Sequence, residues 1–121
     1  MKPGATIQIF GTRKCPDTRK AERWFKERGI PISRIDLNDR GLSVGELNAV
    51  AAHAGGMEAL MDRASARYRD RGLLHAAPTG ARIAQLLLED PLLLRTPIVR
   101  AGKQAAIGFQ PQVWSEWLAK E

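Results

Sequence analysis

Cysteine is nearly absent: the 121 residues contain one, Cys15. A single thiol excludes an intramolecular disulfide framework, cannot complete a thiolate metal site, and fits a reducing compartment. The two histidines, His53 and His75, lack partners at metal-ligand spacing, so both read as structural or exposed. No apolar run is long enough to cross a bilayer. The opening residues, Met1-Lys2-Pro3-Gly4, lack the apolar stretch of a signal peptide, so a cytoplasmic location is expected. Aromatics are sparse, at three tryptophans, three phenylalanines and one tyrosine. The formal net charge of +6 admits nucleic acid, acidic partners or anionic substrates. Dispersed basic residues and few rings to stack on bases argue against nucleic acid. Repeats, linkers and low-complexity tracts are also missing, and residues 1–121 read as a single domain.

What is present gathers around Phe10-Gly11-Thr12-Arg13-Lys14-Cys15-Pro16-Asp17-Thr18. An apolar run ends at Gly11, and a short basic loop delivers the cysteine to the first turn of a helix. Pro16 suits the first helical position, where its fixed φ helps and its missing N–H costs nothing. A thiol there faces free backbone N–H groups and the positive end of the helix dipole. Both favour thiolate, as do the nearby cations Arg13, Lys14, Arg19 and Lys20, while Asp17 opposes them. A low-pKa nucleophile is the reading; a buried, inert cysteine is its alternative.

Taken in order, Thr6 to Phe10 reads as a strand, Pro16 to Arg28 as an amphipathic helix stopped by Gly29, and Ile30 to Leu37 as a second strand. Short connections make this a βαβ unit with parallel strands, which puts the cysteine at the carboxyl edge of the sheet. Ser43 and Glu46 form a capping box opening a helix with Leu47, Val50, Ala51 and Ala54 inward. A short helical piece follows at Met57 to Met61. The most basic stretch, Arg63 to Arg71, is either a solvated face or part of a binding pocket. Pro78-Thr79 opens a further helix that ends before Pro91. Ile98-Val99 and Ala105 to Phe109, joined by a turn at Gly102-Lys103, form a β-hairpin. Pro111 starts a last helix with Val113, Trp114, Trp117 and Leu118 inward.

The order βαβ, helices, ββα resembles that of thioredoxin-like domains, whose third strand commonly begins at a cis-proline. Thr96-Pro97 holds that position here, so a cis bond is expected. The second cysteine usual in thioredoxins is replaced by Thr18, so the implied chemistry is monothiol. Four further features narrow the resemblance to the arsenate reductase (ArsC) family, which includes Spx-type regulators and glutaredoxin-like members. They are Gly-x-x-x-Cys-x-x-Thr (Gly11, Cys15, Thr18), Leu-x-x-x-Glu-Leu (Leu42, Glu46, Leu47), Tyr-x-x-x-Gly-Leu (Tyr68, Gly72, Leu73), and Asp90 to Val99. The implied fold is α/β and thioredoxin-like, with a small mixed sheet and a helical insertion at about residues 42–90.

The resemblance implies a thiol oxidoreductase with Cys15 as sole nucleophile. It binds no resident cofactor and takes glutathione as co-substrate, with glutaredoxin as a further partner. The substrate is a small oxyanion, through arsenate reduction, or a thiol compound, through disulfide reduction; a non-enzymatic Spx-like regulatory or binding protein is the alternative. The substrate-binding candidates are Thr12, Arg13, Lys14, Arg63, Arg95, Thr96 and Pro97. Arsenate reductases of the family hold the oxyanion with three arginines, and this sequence has Thr96, Asp62 and Gln110 at those positions. Arg95 and Arg63 lie one residue away from two of them. A one-residue shift on a strand points a side chain to the opposite face. Arg13, Arg63, Arg67 and Arg100 remain candidates for rebuilding such a pocket.

Overall fold

A computed structural model describes residues 6–119. Its sheet has four strands in the order β2-β1-β3-β4, namely Ile32–Asp36, Ile7–Gly11, Ile98–Ala101 and Gln104–Ile107. The first pair is parallel and the other two are antiparallel. Strand β1 is central and apolar on both faces, the pattern of a strand covered on each side. Ile7 and Ile9 point to one face and Phe10 to the other, as the two-residue period requires. Helices α1 (Pro16–Glu27) and α6 (Pro111–Ala119) cover the first face, where Ile7, Ile9, Phe25, Val99 and Trp114 pack together. The second face lies under α2 (Val44–Ala54) and α5 (Ala81–Glu89), with Phe10, Leu47, Val50, Ile83 and Leu86 in its core.

The insertion between β2 and β3 also contains two short helices, α3 (Ala66–Asp70) and α4 (Leu73–Ala76), which the sequence pattern does not separate from the basic stretch. The capping box forms as expected, and Gly55 closes α2 with a left-handed φ of 90°. Helix α5 begins at Ala81 rather than at Pro78, because Gly80 takes φ 58°, ψ −136° and breaks helical continuity. Strand β2 begins two residues late. The Ile30 N–H is still bonded to the Phe25 carbonyl of the helix end, and Pro31 has no N–H to offer. Strand β4 stops at Ile107, and Gly108, at φ 87°, turns the chain away. Of the four inward residues expected in α6, only Trp114 is fully buried; Val113, Trp117 and Leu118 are half-buried.

The most basic stretch proves to be a fastening. Asp90 is buried, and its Oδ2 accepts from Arg67 Nε at 2.7 Å and from Arg71 at 3.0 Å. These bonds tie α3 to the segment that leads into β3. Arg67 is therefore engaged by a carboxylate and is not available to an oxyanion pocket. Arg63 donates to the Tyr68 hydroxyl at 2.9 Å and sits 3.5 Å from Glu58. Arg100 donates to Gln8 at 3.1 Å and lies 3.6 Å from Glu46. Beside them, the Arg95 N–H donates to the Leu60 carbonyl at 2.8 Å and the Asp62 N–H to Leu93 at 2.9 Å, which stitches the insertion to the approach of β3.

Burial pushes the Asp90 carboxyl up, but the two arginine hydrogen bonds outweigh it and hold the group below the usual carboxylate range. With a folded value below the unfolded one, the stabilisation is present above about pH 4 and is lost as pH falls through the folded value. Asp90→Asn is expected to cost about 1–3 kcal/mol at pH 7, the scale of hydrogen bonds to a charged group. Urea unfolding of both proteins at pH 7 and again in acid checks this. The gap should narrow in acid, and a gap that stays constant would remove the ion pair as its cause.

Candidate active site

Strand β1 runs out at Gly11, and the loop Thr12 to Lys14 returns the chain to α1. The Cys15 N–H donates to the Thr12 carbonyl at 3.2 Å, closing that loop as a turn. Cys15 is the N-cap of α1 in extended geometry, with Pro16 in the first turn after it. Its side chain is therefore aimed at the helix's unpaired N–H groups rather than along the helix.

The second wall is the turn before β3. The Thr96–Pro97 bond is cis, as expected. Thr96 Oγ1 donates to Cys15 Sγ at 3.1 Å, and the Thr96 carbonyl lies 3.7 Å from the same sulfur, placed to accept from the thiol. One residue thus serves both protonation states, with an acceptor for S–H and a donor for S⁻.

The third element is Thr18, one turn along α1 and buried. Its hydroxyl has no hydrogen-bond partner of regular geometry, yet it lies close enough to the sulfur to act on the thiolate. Gly11 makes room for it. A Cβ at position 11 would lie 2.6 Å from Thr18 Cγ2 and closer still to Oγ1, so any side chain there displaces the threonine. Burial alone would push the Cys15 thiol up. The Thr18 and Thr96 hydroxyls, with the N–H groups of Thr18 and Asp17, outweigh it and hold the thiol below its ordinary value. Of the stabilisers expected, the backbone N–H groups act as read, whereas the neighbouring cations do not figure beside the two hydroxyls. Arg19 turns its guanidinium onto the Arg13 carbonyl instead.

The remaining candidates divide. Thr96 is in contact with Cys15, Pro97 follows it and is buried, and Thr12 closes the loop. Arg13 and Lys14 are exposed on that loop. Arg63 is held by Tyr68 and Glu58, away from the role proposed for it. Arg95 is exposed and lines a separate cleft of about 380 Å³ with His53, Ala59 and Gln110, which Cys15 does not line. Among the described residues no arginine hydrogen-bonds to Sγ. The positions expected to carry oxyanion arginines are engaged otherwise. Thr96 meets the thiol, Asp62 accepts from the Ala64 N–H, and Gln110 donates to the Ile107 carbonyl. Sequence reasoning missed the part played by Thr18, noting it as the place of a missing second cysteine and as a marker of the family's Gly-x-x-x-Cys-x-x-Thr opening. Its spacing, one helical turn after a cysteine N-cap, was the available signal.

The profile of the ArsC family matches residues 10–117. The chain belongs to the ArsC family. The global transcriptional regulator Spx 2 of Oceanobacillus iheyensis is 26% identical over 118 residues, covering 96% of this chain and 86% of that protein. Among solved structures, the YffB protein matches at TM-score 0.80 and 22% identity, covering 91% of this chain and 96% of that one. An arsenate reductase from Vibrio cholerae matches at TM-score 0.77 and 24% identity, covering 92% and 96%. These structural likenesses show a shared fold, and the ArsC-family chain described here is thioredoxin-like.

Thr18→Val is expected to raise the pKa of Cys15 while leaving stability within about 1 kcal/mol, because the lost hydroxyl has no regular partner inside the fold. Gly11→Ala should raise it too, at a cost of about 1–3 kcal/mol for overpacking. Iodoacetamide alkylation followed against pH, with thermal unfolding of each variant, separates the two effects. An unchanged alkylation midpoint in both would remove Thr18 from the thiolate's environment.

Proposed function

We propose that this ArsC-family chain is a monothiol oxidoreductase working in a reducing cytoplasm, with Cys15 as the sole nucleophile and glutathione as co-substrate. The observation that carries the reading is the 3.1 Å hydrogen bond from the Thr96 hydroxyl to the Cys15 sulfur at a helix N-cap. It supplies a donor to the thiolate without blocking the sulfur's exposed side.

The reaction runs in two exchanges. The Cys15 thiolate attacks the glutathione sulfur of a substrate–glutathione mixed disulfide; a Cys15–S bond forms, the S–S bond breaks, and its electron pair leaves on the substrate thiolate, which takes up a proton. A second glutathione, as thiolate, then attacks the glutathione sulfur held on Cys15 and expels Cys15 as thiolate, so the substrate leaves reduced as a thiol and the two glutathiones leave as glutathione disulfide. Thr96 acts alike in both steps, donating to sulfur whenever it carries the charge, with the Thr18 hydroxyl and the first N–H groups of α1 also favouring the thiolate. Arginine is the side chain suited to gripping an oxyanion bidentately, and the engagements of Arg63, Arg67 and Arg100 leave disulfide exchange better supported than arsenate reduction.

The Spx relatives favour a second reading, a regulatory protein that binds a partner without turnover. Stable partner recovery by both wild type and Cys15→Ala would support it.

For the enzyme, alkylation of Cys15 should show a midpoint below about 8.5, the free-thiol value. A glutathione mixed disulfide should be turned over in a reductase-coupled assay, and Cys15→Ser should abolish that turnover. Arsenate in the same assay should give none. Arsenate turnover that disappears in Cys15→Ser would instead establish the oxyanion chemistry.

A further inference from the structure

Helix α1 carries Arg19, Glu22, Arg23 and Lys26 at i, i+3, i+4 and i+7, so the four share one face. That face does not look into the core. It forms one wall of a groove of about 680 Å³ whose other wall is β2 and the segment before it: Ile30, Pro31, Ile32 and Arg34. A second cleft, of about 260 Å³, shares Arg19, Glu22 and Arg34 with the first and continues to Thr12 and Arg13, the loop that ends at Cys15. A single channel therefore runs from the reactive loop along the outside of the molecule.

Its charge is net basic. Arg34 pairs with Glu22 at 2.7 Å. Among the described residues, Arg13, Arg19, Arg23 and Lys26 have no carboxylate within ion-pair distance, so four cations outnumber the two acids of the channel, Glu22, which is paired with Arg34, and Asp36, which accepts from Asn38. Arg67 and Arg71, by contrast, are matched by a carboxylate, and the other cations without an ion pair among the described residues, Lys14, Lys20, Arg28, Arg95 and Lys103, do not line the channel. Its floor is apolar, through Ile30, Pro31 and Ile32. Strand β2 is an outer strand, paired with β1 on one side only, so alternate backbone N–H and C=O groups point away from the sheet.

We propose that this channel docks an extended acidic segment of a protein client whose disulfide is presented to Cys15. A strand laid beside β2 would satisfy its outward backbone groups, place alternate apolar side chains on the isoleucine floor, and turn carboxylates toward the α1 cations. The channel lacks aromatic rings for base stacking, and its apolar floor suits a peptide better than a sugar–phosphate backbone. Only the substrate end of this inference rests on the thiol-exchange reading; the docking itself does not. Charge gives the encounter its speed and selectivity more than its strength.

The test uses the Cys15→Ser protein, so that binding is read without chemistry. The probe is a fluorescent ten-residue peptide alternating glutamate with valine; controls are the same peptide with glutamine for glutamate, and a ten-nucleotide single-stranded DNA. The acidic peptide should bind at least tenfold more tightly than its glutamine version, weaken as salt rises, and lose at least tenfold in Arg23→Glu/Lys26→Glu. Both side chains are exposed, and Arg23→Gln/Lys26→Gln, with a smaller loss, guards against an effect of charge reversal on folding. In the Cys15-containing protein the same substitutions should leave turnover of a small glutathione mixed disulfide unchanged. Equal binding of the acidic and glutamine peptides would overturn the proposal, as would DNA binding more tightly than the peptide and being lost in the same variants. If peptide binding behaves as expected while the small disulfide is not turned over by any variant, the docking stands and the oxidoreductase reading falls.

Discussion

The site depends on a missing side chain. Gly11 is where the central strand ends, and Thr18 occupies the space that a Cβ at position 11 would need. Because the strand presents bare backbone there, α1 approaches until its first turn lies against the strand end. That approach sets where Cys15 sits, and with it the meeting of the sulfur with Thr96 across the sheet. The strand in turn is held by apolar packing on both faces, so its end is a fixed point rather than a loose one. A similar close approach joins the insertion to β2: a Cβ on Gly41 would reach the Pro91 ring, 3.0 Å from Pro91 Cβ. Two glycines, neither needed for a left-handed φ, therefore set the spacing between the reactive loop, the sheet and the helical block.

Charge is distributed with the same economy. A basic chain with one reactive cysteine invites the expectation that its cations surround the thiol. Several of them are spent elsewhere. Arg67 and Arg71 share Asp90, Arg63 lies against Tyr68, and Arg100 bridges Gln8 and Glu46. The buried carboxylate explains the density of arginine in the insertion better than a ligand does, since one unpaired charge at that depth would cost more than the fold gains from it. The thiol is left to hydroxyls and backbone N–H groups.

Much of this architecture was legible in the chain. β1, α1, the capping box of α2 and the β-hairpin follow from apolar period, caps and turn residues, and Thr96-Pro97 stood out through the family's order of elements. The boundaries moved where a glycine took a positive φ, as at Gly80 and Gly108, because periodicity does not register backbone conformation. The partner of Asp90 could not be read, because it lies 23 residues away on a separate helix. Thr18 escaped for a different reason. A threonine three residues after a cysteine reads as the absence of a second thiol, and only the collision with Gly11 reveals that its hydroxyl is confined beside the first.

A thiolate stabilised by neutral donors differs in kind from one stabilised by guanidinium groups. Cations near sulfur lower its pKa and at the same time attract a second anion, which is what an oxyanion reductase needs. Hydroxyls and N–H groups lower the pKa without creating that attraction, and they lose little when the charge moves onto a leaving thiolate. A lowered pKa makes the sulfur a better leaving group, while intrinsic nucleophilicity falls with it, so attack and departure are set against each other in one thiol. Exchange between sulfurs requires both roles of Cys15 in successive steps. In the exchange proposed for this site, Thr96, with its hydroxyl and its carbonyl on the same sulfur, has a partner for Cys15 in either role.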